Sequence, residues 1–285
     1  MDIFLVPNLD KAGTLACVEE VSSRLAAMGY CCWLQEGFRS QFGTLPVHFD
    51  SPEQILARCS LVVTIGGDGT ILHTAKSAAL QDKPVLGINT GRLGFLATLE
   101  MQQLSQLALL KTGEYQVEER MLLEVKRETP QGVDSRLALN DAVLSKGASR
   151  ILDFDLYCQE HLVARYTADG VIIATPTGST AYSLSAGGPI VSPQTEAMVM
   201  TPLCPHSLMA RTMVFGGGET LTLRMNPCNK GEAHLEIDGE TSIPVGQDDR
   251  ISIGKAAAKV KLVNIGNRPF YEIVNQKIMK RDQIL

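Results

Sequence analysis

The residues best suited to chemistry are Gly66-Gly67-Asp68-Gly69-Thr70, directly behind the apolar run Leu61-Val62-Val63-Thr64-Ile65. The pattern is a buried strand running into a turn where glycines flank one carboxylate. Glycine tolerates φ > 0 and lets a ligand approach bare backbone. The N–H groups of such a turn can cradle phosphate oxygens, helped by the N-terminus of a following helix. A carboxylate there repels phosphate unless it holds Mg²⁺ or takes a proton from an attacking hydroxyl. Both roles belong to phosphoryl transfer. The bland alternative is an ordinary strand-to-helix turn. Function outweighs it, because ligands of open α/β sheets bind at the carboxyl ends of strands, where Asp68 stands. No Gly-Lys-Ser/Thr follows, so this is not a Walker A loop, and no G-x-G-x-x-G fingerprint occurs.

A second segment runs from Asp169 to Pro189, with four hydroxyl residues between Thr175 and Thr180: Thr175, Thr177, Ser179 and Thr180. Ser179 or Thr180 is placed to cap a short helix through Ala186, which Gly187-Gly188-Pro189 would stop. One cap needs one hydroxyl, so the surplus favours a polar ligand such as a ribose, phosphate or base edge. Tyr182 suits stacking on a base and filling the core equally well. In a third segment, Gly87 to Phe95, Arg92 could meet a phosphate or be a solvated loop charge. Asn140-Asp141 reads as an Asx turn slightly ahead of a ligand-reading pair. His73 and His206 are isolated and read as structural.

The elements that must hold these residues differ between the two halves. Ile3–Val6, Tyr30–Leu34, Leu61–Ile65 and Val85–Ile88 are strand-like. Helical spacing marks residues 12–28, 53–58 and 71–79. Alternation of this kind implies a parallel α/β sheet. Beyond residue 115 the chain becomes a series of short β-like runs: 121–127, 136–145, 151–158, 171–175, 220–225, 234–237, 242–245 and 250–253. Asp238-Gly239 between two of them is a hairpin signal.

The chain's 285 residues suggest two domains. Its net charge of −5 argues against a nucleic-acid partner. Seven cysteines, with no CxxC spacing, indicate neither a disulfide framework nor a zinc site and fit a reducing cytosol. The N-terminus lacks the basic and apolar regions of a signal peptide. No apolar run is long enough to span a membrane.

Together, these segments resemble the NAD kinase family, which phosphorylates the adenosine 2′-hydroxyl of NAD to make NADP. The resemblance spans about residues 60–250. It is carried by Gly66-Gly67-Asp68-Gly69-Thr70, Thr90-Gly91-Arg92-Leu93-Gly94-Phe95, Asp169 through Pro189, and Thr201-Pro202-Leu203-Cys204-Pro205-His206-Ser207-Leu208. The glycine loop alone is shared with diacylglycerol and sphingosine kinases. The hydroxyl-rich segment is far more specific.

The resemblance implies a Rossmann-like α/β N-terminal domain and a β-rich, sandwich-like C-terminal domain, with NAD between them and the C-terminal tail returning to the first. The expected boundaries are 1–117 plus 268–285, and 118–267. It implies NAD and ATP as substrates, with polyphosphate an alternative donor, and a divalent metal, Mg²⁺, whose ligands stay unassigned. It further implies a cytoplasmic homodimer or homotetramer with no nucleic-acid or membrane partner. By match to the motifs, Asp68 would be the general base. Gly66, Gly67, Gly69, Thr70 and Arg92 would meet phosphates. Gly69 and Phe95 would line the NAD pocket, and Asn140 and Asp141 would hold the adenine-side ribose. Asp169 and Thr177 would contact the nicotinamide part, while Thr180, Ala181, Tyr182 and Ser185 would wrap the adenosine. Two positions depart from the family pattern: Asp141 stands for the usual Glu, and Glu240 for a frequent Gln. Two rivals remain at this point, a diacylglycerol-type lipid kinase and a non-catalytic dinucleotide sensor.

Overall fold

An apolar run without alternation marks a strand buried on both faces, and in the computed structural model Leu61–Gly66 is such a strand, every residue of it buried. The structure describes residues 1–91, 94–147, 150–240, 242–266 and 269–279. It divides into two units, Met1–Glu119 with the chain from Val260 onward, and Arg120–Lys259.

The first unit builds β1 (Asp2–Pro7), α1 (Thr14–Ala27), β2 (Cys31–Gln35), α2 (Arg39–Phe42), β3 (Val47–Asp50), α3 (Pro52–Arg58), β4 (Leu61–Gly66), α4 (Asp68–Leu80), β5 (Pro84–Asn89), β6 (Leu99–Glu100) and α5 (Leu109–Thr112). Five strands lie in the order β5-β4-β1-β2-β3, every neighbouring pair parallel. The chain winds outward from β1 to β3, then returns to β4 on the other side. The reversal leaves a crevice at the carboxyl ends of β1 and β4, the usual place for a ligand. Helix α3 is capped by Ser51, whose hydroxyl accepts the Gln54 N–H, with Pro52 in its first turn.

The second unit builds β7 (Gln116–Thr129), which starts at the end of the first, then β8 (Gly132–Ala138), β9 (Asp141–Lys146), β10 (Leu152–Cys158), β11 (His161–Ala168), β12 (Gly170–Ala174), α6 (Tyr182–Ser185), β13 (Ala197–Leu203), β14 (Met213–Gly216), β15 (Thr220–Met225), β16 (Ala233–Ile237), β17 (Ile243–Val245) and β18 (Arg250–Asn264). One antiparallel layer runs β14-β13-β12-β9-β16-β17. The other pairs β11, β10, β15 and the start of β18, also antiparallel. Leu144 and Val171 of one layer share a buried core with Phe154, Leu223 and Ile251 of the other. This is a β-sandwich. The end of β18 belongs to the first unit, where Lys261 and Leu262 pair in parallel with Pro84 and Val85. Val263 and Ile265 join that unit's core beside Leu86 and Ile88. α7 (Phe270–Val274) follows. No helix among the described residues is long and apolar enough to cross a membrane.

Several elements differ from the expectation. The run 136–145 is two strands, broken at Leu139-Asn140, where the chain turns. The run at 250–253 continues to Asn264. Ala256-Ala257-Ala258, poor strand formers by propensity, hide that continuation. Strands β3, β6, β11, β13 and β14 were not expected; β3, β6 and β14 are short and β11 has only two fully buried residues, so their apolar pattern is weak, whereas the buried run of β13 was overlooked.

Phe154 is 1% exposed, with its ring stacked on Tyr166 at 5.4 Å between centroids. Phe154→Ala should destabilise the protein by about 3–5 kcal/mol, read as a fall in the urea midpoint.

Candidate active site

In the first unit, three loops meet at the carboxyl ends of β1, β4 and β5. The Asn8 N–H donates to the Ile65 carbonyl at 2.8 Å, and the Thr90 N–H to the Gly66 carbonyl at 2.9 Å. Gly66 is required by crowding, since a Cβ there would lie 2.4 Å from the Thr70 hydroxyl oxygen. Gly67 and Gly69 have open space where a side chain would project. None of the three has positive φ. The expected left-handed bend is therefore absent: Gly66 makes room for Thr70, and Gly67 and Gly69 leave their backbone without a covering side chain. Beside them lies a cleft of about 430 Å³ lined by Asn8, Asp10, Gly69, Thr70, His73 and Thr74 among others. His73, expected to be structural, is exposed on its wall.

Asp68 opens α4, and its carboxylate is held by three consecutive amides. Oδ2 accepts the Phe95 N–H at 2.6 Å, and Oδ1 accepts those of Leu96 and Ala97 at 3.2 and 3.3 Å. A carboxylate offers about four lone-pair sites. The three bonds leave one on Oδ2, fixed in direction and half-exposed. Gly94 is buried against this group, and a Cβ there would lie 1.7 Å from Asp68 Oδ1. The Lys277 ammonium sits 4.2 Å from the centre of the Phe95 ring. Arg92 lies outside the described residues.

In the second unit, Asn140 and Asp141 form the turn into β9, and three segments fix it. The Asp238 carboxylate accepts the N–H groups of Leu139, Asn140 and Asp141 at 3.0, 2.7 and 3.2 Å. The Thr175 N–H donates to the Asn140 carbonyl at 2.8 Å, and the Thr175 hydroxyl to the Leu139 carbonyl at 2.6 Å. Gly178 passes so close that a Cβ would lie 2.0 Å from the Asn140 carbonyl oxygen. With the backbone so fixed, the Asn140 side chain has no partner among the described residues. Asp141 is buried, and that burial, with the negative charge of Asp238, pushes its pKa up to about 7.

The hydroxyl-rich segment is not capped as expected. No side chain caps α6. The Ser179 hydroxyl bonds the Pro176 carbonyl and accepts the Val191 N–H at 3.0 Å, and the Thr180 hydroxyl donates to the Thr177 carbonyl at 3.2 Å. The hydroxyls stitch the turn itself, with one exception. Thr177 Oγ1 is buried without a partner, an uncommon state for a polar atom and one that a bound ligand would relieve. Tyr182 is 49% exposed, so it is not a core residue. Ser185 is exposed as well, and Thr180 and Ala181 are partly so. Asp169 is half-exposed and paired with Lys146 at 2.8 Å.

Asp238 and Gly94 were missed as site-building residues. Asp238-Gly239 signalled only a hairpin, and both residues have positive φ, as a two-residue hairpin turn requires. An acidic side chain in that turn was the available clue.

Comparison with known proteins matches residues 3–115 to the ATP-NAD kinase N-terminal domain and residues 139–265 to the ATP-NAD kinase C-terminal domain. The NAD kinase of Symbiobacterium thermophilum is 39% identical over 96% of this chain and 97% of its own. That of Hahella chejuensis is 36% identical over 99% and 97%. Among solved structures, yeast NADH kinase complexed with NADH superposes with a TM-score of 0.88 at 26% identity, covering 98% of this chain and 87% of that one. An NAD kinase from Archaeoglobus fulgidus in complex with ATP gives 0.72 at 26%, covering 98% and 99%.

Two substitutions test this geometry. Gly94→Ala should displace the Asp68 carboxylate and lower turnover by about 10²-fold, with far-UV circular dichroism unchanged. Asp141→Asn should stabilise the protein at high pH. The folded state holds the Asp141 proton more tightly than the unfolded chain, so native stability falls as pH rises from about 4 to 7. The variant should gain on the order of 2–4 kcal/mol at pH 8 and nothing below pH 4, read by thermal melts across pH.

Proposed function

Because this chain belongs to the NAD kinase family and so phosphorylates NAD with ATP, we propose that the acceptor is the 2′-hydroxyl of the adenosine ribose and that Asp68 is the general base. The observation that carries this reading is the Asp68 carboxylate, pinned by three amides with one acceptor site of Oδ2 left open. The hydroxyl gives its proton to that oxygen as its own oxygen attacks the γ-phosphorus. The bond between the γ-phosphorus and the bridging oxygen breaks, and its electron pair leaves with ADP. Little covalent chemistry falls to the protein in such a transfer; position and charge decide the rate.

The phosphates are read as lying along the turn of Gly66, Gly67, Gly69 and Thr70, where Gly67 and Gly69 have open space in place of a side chain, with Arg92 as a further contact. For the dinucleotide, Asn140 and Asp141 hold the ribose. Gly69 and Phe95 line the NAD pocket, Thr180, Ala181, Tyr182 and Ser185 wrap the adenosine, and Asp169 and Thr177 meet the nicotinamide side. The exposed Tyr182 ring and the unpartnered Thr177 hydroxyl support these roles.

Among the described residues, no group of three or more His, Cys, Asp or Glu side chains gathers as a metal cage. Mg²⁺ fits such a site by arriving on the donor's phosphate oxygens, because it retains waters and needs few protein ligands. When bound it neutralises phosphate charge, and no residue of this chain is assigned to it. The same reading makes the enzyme a cytoplasmic homodimer or homotetramer.

An endpoint assay tests the proposal, with NADP formed from NAD, ATP and Mg²⁺ and detected by an NADP-specific dehydrogenase. NADP should depend on protein, NAD and ATP together. Asp68→Asn should lower kcat by roughly 10²–10⁴-fold, the usual worth of a general base. Near wild-type turnover in that variant would remove Asp68 from the role.

A further inference from the structure

The Asn140–Asp141 turn is held by a carboxylate that no ligand is expected to touch. Asp238 lies opposite Asp141, where β16 leaves its pairing with β9, and its own N–H donates to the Asp141 carbonyl at 2.9 Å. Its side chain folds back to gather three successive amides, with Oδ1 on Asn140 and Asp141 and Oδ2 on Leu139. All three donors come from one turn, so the carboxylate sets that turn's curvature and with it the direction of both side chains. The backbone has left-handed φ at Asp238, 54°, as the first central residue of the hairpin turn. A non-glycine residue in that region is uncommon.

The arrangement also sets the Asp238 carboxylate against Asp141, whose own N–H donates to it at 3.2 Å, and its negative charge adds to burial in disfavouring the ionised Asp141 side chain. The paired strand β12 contributes Ala174, opposite Asp141, and the following turn contributes only hydroxyls among its polar side chains. Glu236 on β16 pairs with Val143, one same-face position along, and adds negative charge. Lys146, at the far end of β9, is engaged by Asp169.

We propose that Asp238 is the positioning residue of the ribose grip: its carboxylate orients Asn140 and Asp141, and its charge, set against Asp141, makes nucleoside binding depend on pH. The inference rests on the reading that Asn140 and Asp141 hold the ribose. An ionised Asp141 accepts ribose hydroxyl protons on both oxygens, whereas a protonated one loses part of that capacity. Affinity for NAD therefore rises with pH as Asp141 ionises. Replacing Asp238 by Asn removes the repelling charge and turns an amide NH₂ toward donors that need an acceptor.

Calorimetric titration of NAD into the full chain, without phosphoryl donor, from pH 5.5 to 8.5 separates the possibilities. Wild-type Kd should fall by about tenfold between pH 6 and pH 8, as a single ionisation near pH 7 dictates. Asp238→Asn should bind roughly tenfold more weakly at pH 8, with the midpoint of its pH dependence moved to lower pH. Asp141→Asn keeps the cradle, and its affinity should be flat across the range. Wild-type affinity in Asp238→Asn at pH 8 overturns the positioning role, and an unmoved midpoint overturns the electrostatic one. If Asp238→Asn fails to fold by circular dichroism, Asp141→Asn still decides: pH dependence equal to wild type overturns the proposal. A folded wild type that binds no NAD at any pH overturns the dinucleotide reading, and this inference falls with it.

Discussion

A loop that carries chemistry must leave its side chains free while its own amides find acceptors, since an unsatisfied buried N–H costs about 1–3 kcal/mol. This protein meets that constraint twice by one device. In each unit a single carboxylate gathers three successive backbone N–H groups: Asp68 takes those of residues 95–97 and Asp238 those of residues 139–141. The gathered loops differ in origin, one following a parallel strand and the other linking β8 of one sheet to β9 of another. The roles differ too. In the proposed reading Asp68 itself takes the proton, whereas Asp238 positions the residues it holds.

Much of the frame was legible in the residues. Continuous apolar runs at Ile3–Val6, Leu61–Ile65 and Val85–Ile88 have no other use than strands buried on both faces, and all three are parallel neighbours in the sheet. The glycine loop and the hydroxyl-rich segment were found by composition alone. What composition did not carry was contact across sequence distance. That Asp68 bonds residues 27 to 29 positions away, or that Asp238 bonds residues 97 to 99 positions away, is set by the fold and leaves no local pattern. Glycine was misread in kind. At Gly66, Gly94 and Gly178 the reason is a neighbouring oxygen that leaves no space for a Cβ. Tolerance of φ > 0 was one expected reason for the glycines of residues 66–70, and no expectation attached to Gly94 or Gly178; such volume constraints are invisible without the partner atom.

The hydroxyl segment illustrates the same limit differently. Ser and Thr near a short helix suggest caps, yet here they brace a turn against the Asn140 loop. Burial of Asp141, with the negative charge of Asp238 beside it, opposes stability once Asp141 ionises, and Asp238 persists there because its carboxylate satisfies three amides. Local strain of this sort gathers where function is built.

The route of β18 has a consequence for synthesis. The first unit draws Val263 and Ile265 into its core, although its other strands end before residue 101. During translation, that core therefore stays incomplete until more than half the chain has been added. At about 5–20 residues per second, the nascent N-terminal portion waits on the order of 10 s with apolar surface along β5 uncovered. Over that interval the growing chain is a natural client for chaperones that bind exposed strand edges.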